Sequence, residues 1–202
     1  MSSTDLTAMA RIREAAIELF GQQGFKATTM RQIAQRAKVS LGLINHHFAS
    51  KEKLRLACDD WVLDYVLREE LLVLASGSLP ELGRYIAERP EFVPILAYLT
   101  RALRDGGRVA DTVFDALVSI TRDLSREGVR VGKIKPSEDE DARAALMVAY
   151  SVGVLLFGQQ VARHLGGTDI LDPAIQARYG RINMEIFTRG VLVEGAFELM
   201  EE

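Results

Sequence analysis

Side chains that could do chemistry crowd into one stretch, residues 28–51, which reads TTMRQIAQRAKVSLGLINHHFASK. Its hydroxyls, amide, imidazoles and cations form an inventory for recognition rather than turnover. Base edges in a DNA groove are read by amide and imidazole hydrogen bonds and by apolar contact with thymine methyls. Phosphates take hydroxyls, cations and helix N-termini. On that reading Thr29, the helix start beside it and Lys51 hold phosphates, and Arg31 does the same or reaches a base. Leu41 and Leu43 touch thymine methyls, and Asn45 or His46 bonds a base edge. Thr28, Ser40, Gly42 and His47 complete the surface. A bland solvated helix would not carry two leucines beside two histidines and an asparagine.

Other chemistries fit less well. The chain shows no nucleophile elbow, phosphate loop or metal-spaced His/Glu pair, so an enzyme is not expected, nor a cofactor or a metal. His46 and His47 point about 100° apart on a helix, with no cysteine or clustered carboxylate facing them. His164 stands alone and reads as a satisfied or surface histidine. Cys58 falls on an inward helix face, so an inert buried thiol is the default and a redox sensor the lesser alternative. A helical adaptor whose head grips protein is the remaining competitor, separable by salt-dependent DNA binding.

The elements that position these residues are legible from caps and apolar spacing. Thr29-Met30-Arg31-Gln32 forms a capping box, and Ile33, Ala34 and Ala37 supply one apolar face. Ser40 caps a second helix over residues 41–47, after a turn of a few residues, and Ile44 and Phe48 point back to the core. A preceding helix over residues 5–23 carries Ile12, Ala16, Leu19 and Phe20 as one stripe. Gly24 stands at its left-handed C′ position, and Phe25 could contact Phe20.

Thr28 to Ala34, then Val39-Ser40, Gly42, Ile44, His47-Phe48 and Lys51-Glu52-Lys53-Leu54, resemble the helix-turn-helix signature of TetR-family (tetracycline-repressor-like) transcription regulators. The resemblance implies an all-α fold with a three-helix DNA-binding head, residues 1–55, and a helical ligand-binding and dimerisation body, residues 56–202. It implies that His47 approaches the DNA backbone. The family usually has tyrosine, commonly on a phosphate, where this chain has Asn45; the shorter amide either falls short of that phosphate or reads a base edge. The resemblance also implies a repressor released from a palindromic operator by a small apolar or amphipathic effector lodged between the central helices. Trp61, Tyr65, Phe92, Tyr98, Phe114, Met147, Tyr150 and Phe157 could line that pocket, with Arg101 and Gln159 as polar anchors. For any one of them, core filling is the ordinary alternative.

Charge is divided to match. Through Arg55 there are nine Lys/Arg against four Asp/Glu, a net of +5, and the remaining 16 basic and 24 acidic residues give −8. A basic head on an acidic body suits a DNA reader with a separate second module. At 48% hydrophobic and 26% charged residues, the chain has the balance of a soluble globular protein. One cysteine permits no internal disulfide, no signal-peptide run opens the chain, and residues 144–157 are shorter than the roughly 20 a membrane span needs; a cytoplasmic protein off the membrane is expected.

Along the body, helices are expected over residues 51–75, 80–89, 91–105, 109–127 and 173–193. The first is the only obvious link between head and body. A capping box at Ser137-Glu138-Asp139-Glu140 should open a single helix running to residue 165, apolar nearly all round. Residues 128–136 read as a connection. In the family, these last two long helices pair with their copies as a four-helix bundle. Two heads one DNA turn apart, about 34–36 Å, then read a palindrome, so a homodimer is expected.

Overall fold

A computed structural model describes residues 3–70 and 79–191. The fold is all-α: α1 (Ser3–Gln23), α2 (Met30–Ala37), α3 (Leu41–His47), α4 (Lys51–Tyr65), α5 (Leu79–Glu88), α6 (Phe92–Asp105), α7 (Arg108–Arg130), α8 (Glu140–Leu156), α9 (Gly158–His164) and α10 (Pro173–Arg189). There is no strand among the described residues. The first three helices form the head. Their stripe residues Ile12, Phe20, Ile33 and Ile44 are buried and continuous with Leu54, Val62, Phe92, Leu99 and Val113 of the body. Burying such a side chain stabilises the fold by about 1.5–3 kcal/mol, and here the gain is shared between head and body.

Several expectations need correcting. The helix over residues 51–75 is α-helical only to Tyr65, then widens into one π-helical turn, Val66–Glu70; Leu72, Ala75 and Ser76-Gly77-Ser78 lie outside the described residues, as does Val193. Nor is α4 the only link to the body. The most extensive contact between two described helices is that of α1 with α6. Gly21 makes it possible, since a Cβ there would lie 2.9 Å from the backbone nitrogen of Tyr98.

The single helix expected to end at residue 165 is two, α8 and α9, with axes 80° apart. The break falls at Phe157 because Gly158 receives the Ile170 side chain, and a Cβ on Gly158 would lie 2.9 Å from it. The bend lets Val154, Ala162, Ile170, Ile175 and Tyr179 bury one another in a separate cluster. Ser137 is not the cap of α8. Asp139 is, accepting from the Ala142 backbone N–H at 2.9 Å, while the Ser137 hydroxyl turns to donate to the Asp139 carbonyl. Leu124 of α7 is half exposed.

One face of the body is left apolar and uncovered. Leu146 of α8 is 71% exposed, Phe157 at the bend 60%, and Met184 and Phe187 of α10 62% and 55%. Tyr150 of α8 meets Phe187 edge-on, with ring centroids 5.7 Å apart, which joins the two helices into one surface.

Candidate nucleic-acid interface

The head is held by short-range hydrogen bonds. The Thr29 hydroxyl accepts from the Gln32 N–H at 3.2 Å, and the Thr29 N–H donates to the Gln32 side-chain oxygen at 2.8 Å, closing the capping box of α2. Lys38 then takes a left-handed conformation, φ 54°, and ends that helix; it is the only non-glycine with positive φ among the described residues. Its side chain is exposed, so the turn is made without burying a charge. The Ser40 hydroxyl accepts from the Leu43 N–H at 3.1 Å and starts α3. Ile44 and Phe48 are buried, which leaves Leu41, Gly42, Asn45 and His46 exposed and Leu43 and His47 half-buried on the outer side. The His47 Nε2 is shut off from solvent and has no hydrogen-bond partner, and its ring lies 5.2 Å from that of His46. Arg31 is exposed and makes no hydrogen bond or ion pair among the described residues.

Two expected DNA contacts are otherwise engaged. Thr28 is fully buried. Its hydroxyl donates to the Gly24 carbonyl at 2.8 Å and accepts from the Gln23 amide at 3.2 Å, so it staples the loop and cannot reach DNA. Lys51 donates to the carbonyls of Phe25 and Thr28, each at 2.9 Å, with its ammonium 4.3 Å from the Phe25 ring centre. Of an ammonium's three N–H donors, one remains. Lys51 thereby ties the start of α4 to the loop that leads into α2.

Arg11 was missing from the expected set. From α1 its guanidinium donates to the carbonyl of Ala37 and, at 2.9 Å, to that of Lys38, clamping the helix-turn-helix bend to the helix behind it. Its only signal in the sequence is a cation placed off the apolar stripe. Arg36 adds an exposed ion pair to Glu18 at 2.6 Å, which raises the Arg36 pKa. The result is a rigid two-helix unit presenting α3 with apolar, amide and imidazole groups outward.

Comparison with known proteins agrees along the whole chain. Residues 12–58 match "Bacterial regulatory proteins, tetR family", and residues 90–193 match "Tetracyclin repressor-like, C-terminal domain". The HTH-type transcriptional regulatory protein RaaS of Mycobacterium tuberculosis is 37% identical over 97% of this chain and 92% of its own length. The chain belongs to the TetR family. It is a helix-turn-helix, DNA-binding transcriptional regulator and not an enzyme. An HTH-type transcriptional repressor from the same organism is 31% identical over 74% of this chain and 70% of its own. Among solved structures, a gamma-butyrolactone receptor (TM-score 0.57, 22% identity) covers 90% of this chain with 99% of its own. FadR of Bacillus subtilis in complex with stearoyl-CoA (TM-score 0.58, 15% identity) covers 91% with 99%. Both share the fold.

The body of this TetR-family regulator does not gather the expected pocket residues around one cavity. Phe92 is core, with Tyr85 edge-on at 5.3 Å. Trp61 stacks on Tyr65 at 5.3 Å and carries the Arg13 guanidinium 4.8 Å above it. Arg101 packs beneath Gly24 in the joint between head and body. Met147 is half-buried, while Tyr150, Phe157 and Gln159 face outward. Tyr98 is buried and donates its hydroxyl to buried Asp59, a bond that ties α6 to α4; burial and the Asp59 charge push the Tyr98 pKa up. Burial, with the Asp59 charge alongside, pushes the Cys58 thiol up to about 12, which makes it an inert core group. Phe114 alone of the ten lines an open groove of about 410 Å³ between α6, α7 and α8.

Proposed function

We propose that this regulator is a repressor that sits as a homodimer on a palindromic operator and leaves it when a small molecule occupies the body. The observation that carries this reading is the uncovered apolar face of α8 and α10, with Leu146, Phe157, Met184 and Phe187 outward. A contiguous exposed patch of such side chains marks an association surface, and a second copy supplies the matching one under two-fold symmetry. Dimerisation sets two copies of α3 one DNA turn apart, as a palindrome requires. The repressor among the relatives supports the sign of regulation. The stearoyl-CoA held by a protein of this fold supports the use of an effector, without naming this chain's own.

In the complex, Asn45 and His46 bond base edges, Leu41 and Leu43 meet thymine methyls, and Gly42 lets the α3 backbone come close. Arg31, Thr29 and the α2 N-terminus take phosphates, and Lys51 positions the loop behind them. The route to the head runs through α6. Its C-terminal end borders the groove at Leu103 and Gly106, and its middle is joined to α1 at Gly21 and to α4 by the Tyr98–Asp59 bond. An effector acts only if it binds the DNA-incompetent arrangement better than the competent one.

Selection of random duplex DNA by the purified protein, with sedimentation of the free protein and of the complex, tests the reading. An enriched palindrome bound by two chains, in a complex that a bound small molecule dissolves, is the expected result. A monomer at micromolar concentration, or a non-palindromic winner bound by one chain, would refute it.

A further inference from the structure

We infer that Lys38, in the turn between α2 and α3, is a ligand of the DNA backbone; this deepens the reading above, in which α3 enters the groove, and rests on it. Lys38 adopts φ 54° and ψ 49°, the left-handed conformation that ends α2. A side chain is disfavoured there, because its Cβ crowds the following carbonyl. Among the described residues, glycine occupies every other position of positive φ. Inside the fold the Lys38 side chain does nothing to offset that strain. It is exposed, and its ammonium has no hydrogen bond or ion pair among the described residues. Its backbone, by contrast, is fixed. The N–H donates to the carbonyls of Ala34 and Gln35, and the carbonyl accepts from the Arg11 guanidinium at 2.9 Å. Strain kept at an outward cation on a fixed backbone points to a ligand outside the chain.

The edge of α2 on which Lys38 stands identifies that ligand. One exposed edge is turned to α1: the Gln23 amide donates to the Gln32 side-chain oxygen at 3.4 Å, and Arg36 pairs with Glu18 at 2.6 Å. The other edge carries Arg31, Gln35 and Lys38 at i, i+4 and i+7, all exposed and none with a side-chain partner among the described residues. Two cations and an amide in a row are groups that take phosphates, and the first helix of a helix-turn-helix crosses the DNA backbone. Seven residues of helical rise put about 10 Å between Arg31 and Lys38, roughly three times the charge spacing along one DNA strand. The two cations therefore meet separate phosphates, and their contributions add.

The test is anisotropy of the full chain on a mixed-sequence duplex of about 30 base pairs across a salt series, with thermal melting of the free protein. Lys38→Gly should move the two readouts in opposite directions. Relief of the left-handed strain should raise the melting temperature by about 2–4 °C, while loss of the ammonium weakens binding and flattens the salt slope by about 0.9. Lys38→Gln should lose the same slope with no gain in melting temperature, and Lys38→Arg should keep the parent slope. Arg36→Gln removes the same charge from the opposite edge and should leave the slope unchanged. Adding Arg31→Ala to Lys38→Gln should double the loss. An unchanged slope in Lys38→Gly and Lys38→Gln, or an equal loss in Arg36→Gln, would overturn the inference. The underlying reading fails separately. If the Lys38 proteins behave as expected while Asn45→Ala and His46→Ala leave base preference untouched, the backbone contact is upheld and base readout by α3 is contradicted; altered preference with an unchanged Lys38 slope does the reverse.

Discussion

The head and the body of this TetR-family regulator are finished in opposite ways. In the head, side chains close the helix starts and the turn between them. Thr29, Ser40 and Ser50 each accept from a backbone N–H three residues on, and Arg11 and Lys51 tie carbonyls 23 to 27 residues away. What it presents outward is polar or singly apolar. The body buries its core equally well and yet turns Leu146, Phe157, Met184 and Phe187 to the outside. The head caps and ties itself within one chain; on the proposed reading, the body's apolar face is completed by a second copy. A DNA reader needs both properties, because a seven-residue recognition helix reads too few bases unless a second one is held at a defined distance.

The largest expected effect follows from that asymmetry. Phe187→Asp puts a charge on the uncovered face, so the dimer should dissociate and operator affinity fall by about 10²–10⁴, with each chain still folded. Sedimentation and anisotropy check this, and a dimeric Phe187→Asp protein would break the contrast. Next is the shared core. Phe92→Ala should cost about 3–5 kcal/mol, and because head and body bury one continuous cluster they should melt in a single transition. Two resolved transitions would show that they are energetically separate. Tyr98→Phe leaves the buried Asp59 without its donor and should cost about 1–3 kcal/mol, weakening the response to effector more than DNA binding itself.

Smaller effects are expected in the head. Lys51→Met should lower the melting temperature and operator affinity without altering the salt dependence, because its ammonium serves the loop. Arg31→Ala should reduce the salt slope by about one phosphate contact. A Lys51→Met protein with the flattened slope would return that residue to the DNA surface. The smallest concerns Cys58. Its folded pKa is raised from 9.0 to about 12, so the thiol's contribution is fully present below pH 9 and is lost as pH rises toward 12. Tyr98 is shifted in the same direction. Cys58→Ala should therefore lose less stability than the parent across that window, and the folded parent should resist thiol reagents at pH 8.

Legibility in the sequence followed the range of the interactions. The caps of α2 and α3 and the apolar faces of the head involve residues three or four apart, so spacing alone locates them and the outward set on α3. The roles of Arg11, Lys51 and Thr28 are hidden from the sequence because they depend on carbonyls brought near only by the fold. The 80° bend after α8 is hidden for the same reason: it is made by Gly158 receiving Ile170, while Ala, Val and Leu on either side continue a helical pattern. Among the expected pocket residues, aromatic type said nothing about direction. Phe92 went to the core, Phe157 to the surface, and only Phe114 to the groove.

On the proposed reading, α3 reads sequence while the rest of the head positions it. The direct test is anisotropy of the selected operator and its single-base variants with Asn45→Ala and His46→Ala proteins across a salt series. Each substitution should relax discrimination at one pair of symmetry-related base positions by about 1–3 kcal/mol, with the dimer and the salt slope unchanged. A uniform loss of affinity for every sequence, or no change in preference with either protein, would contradict it.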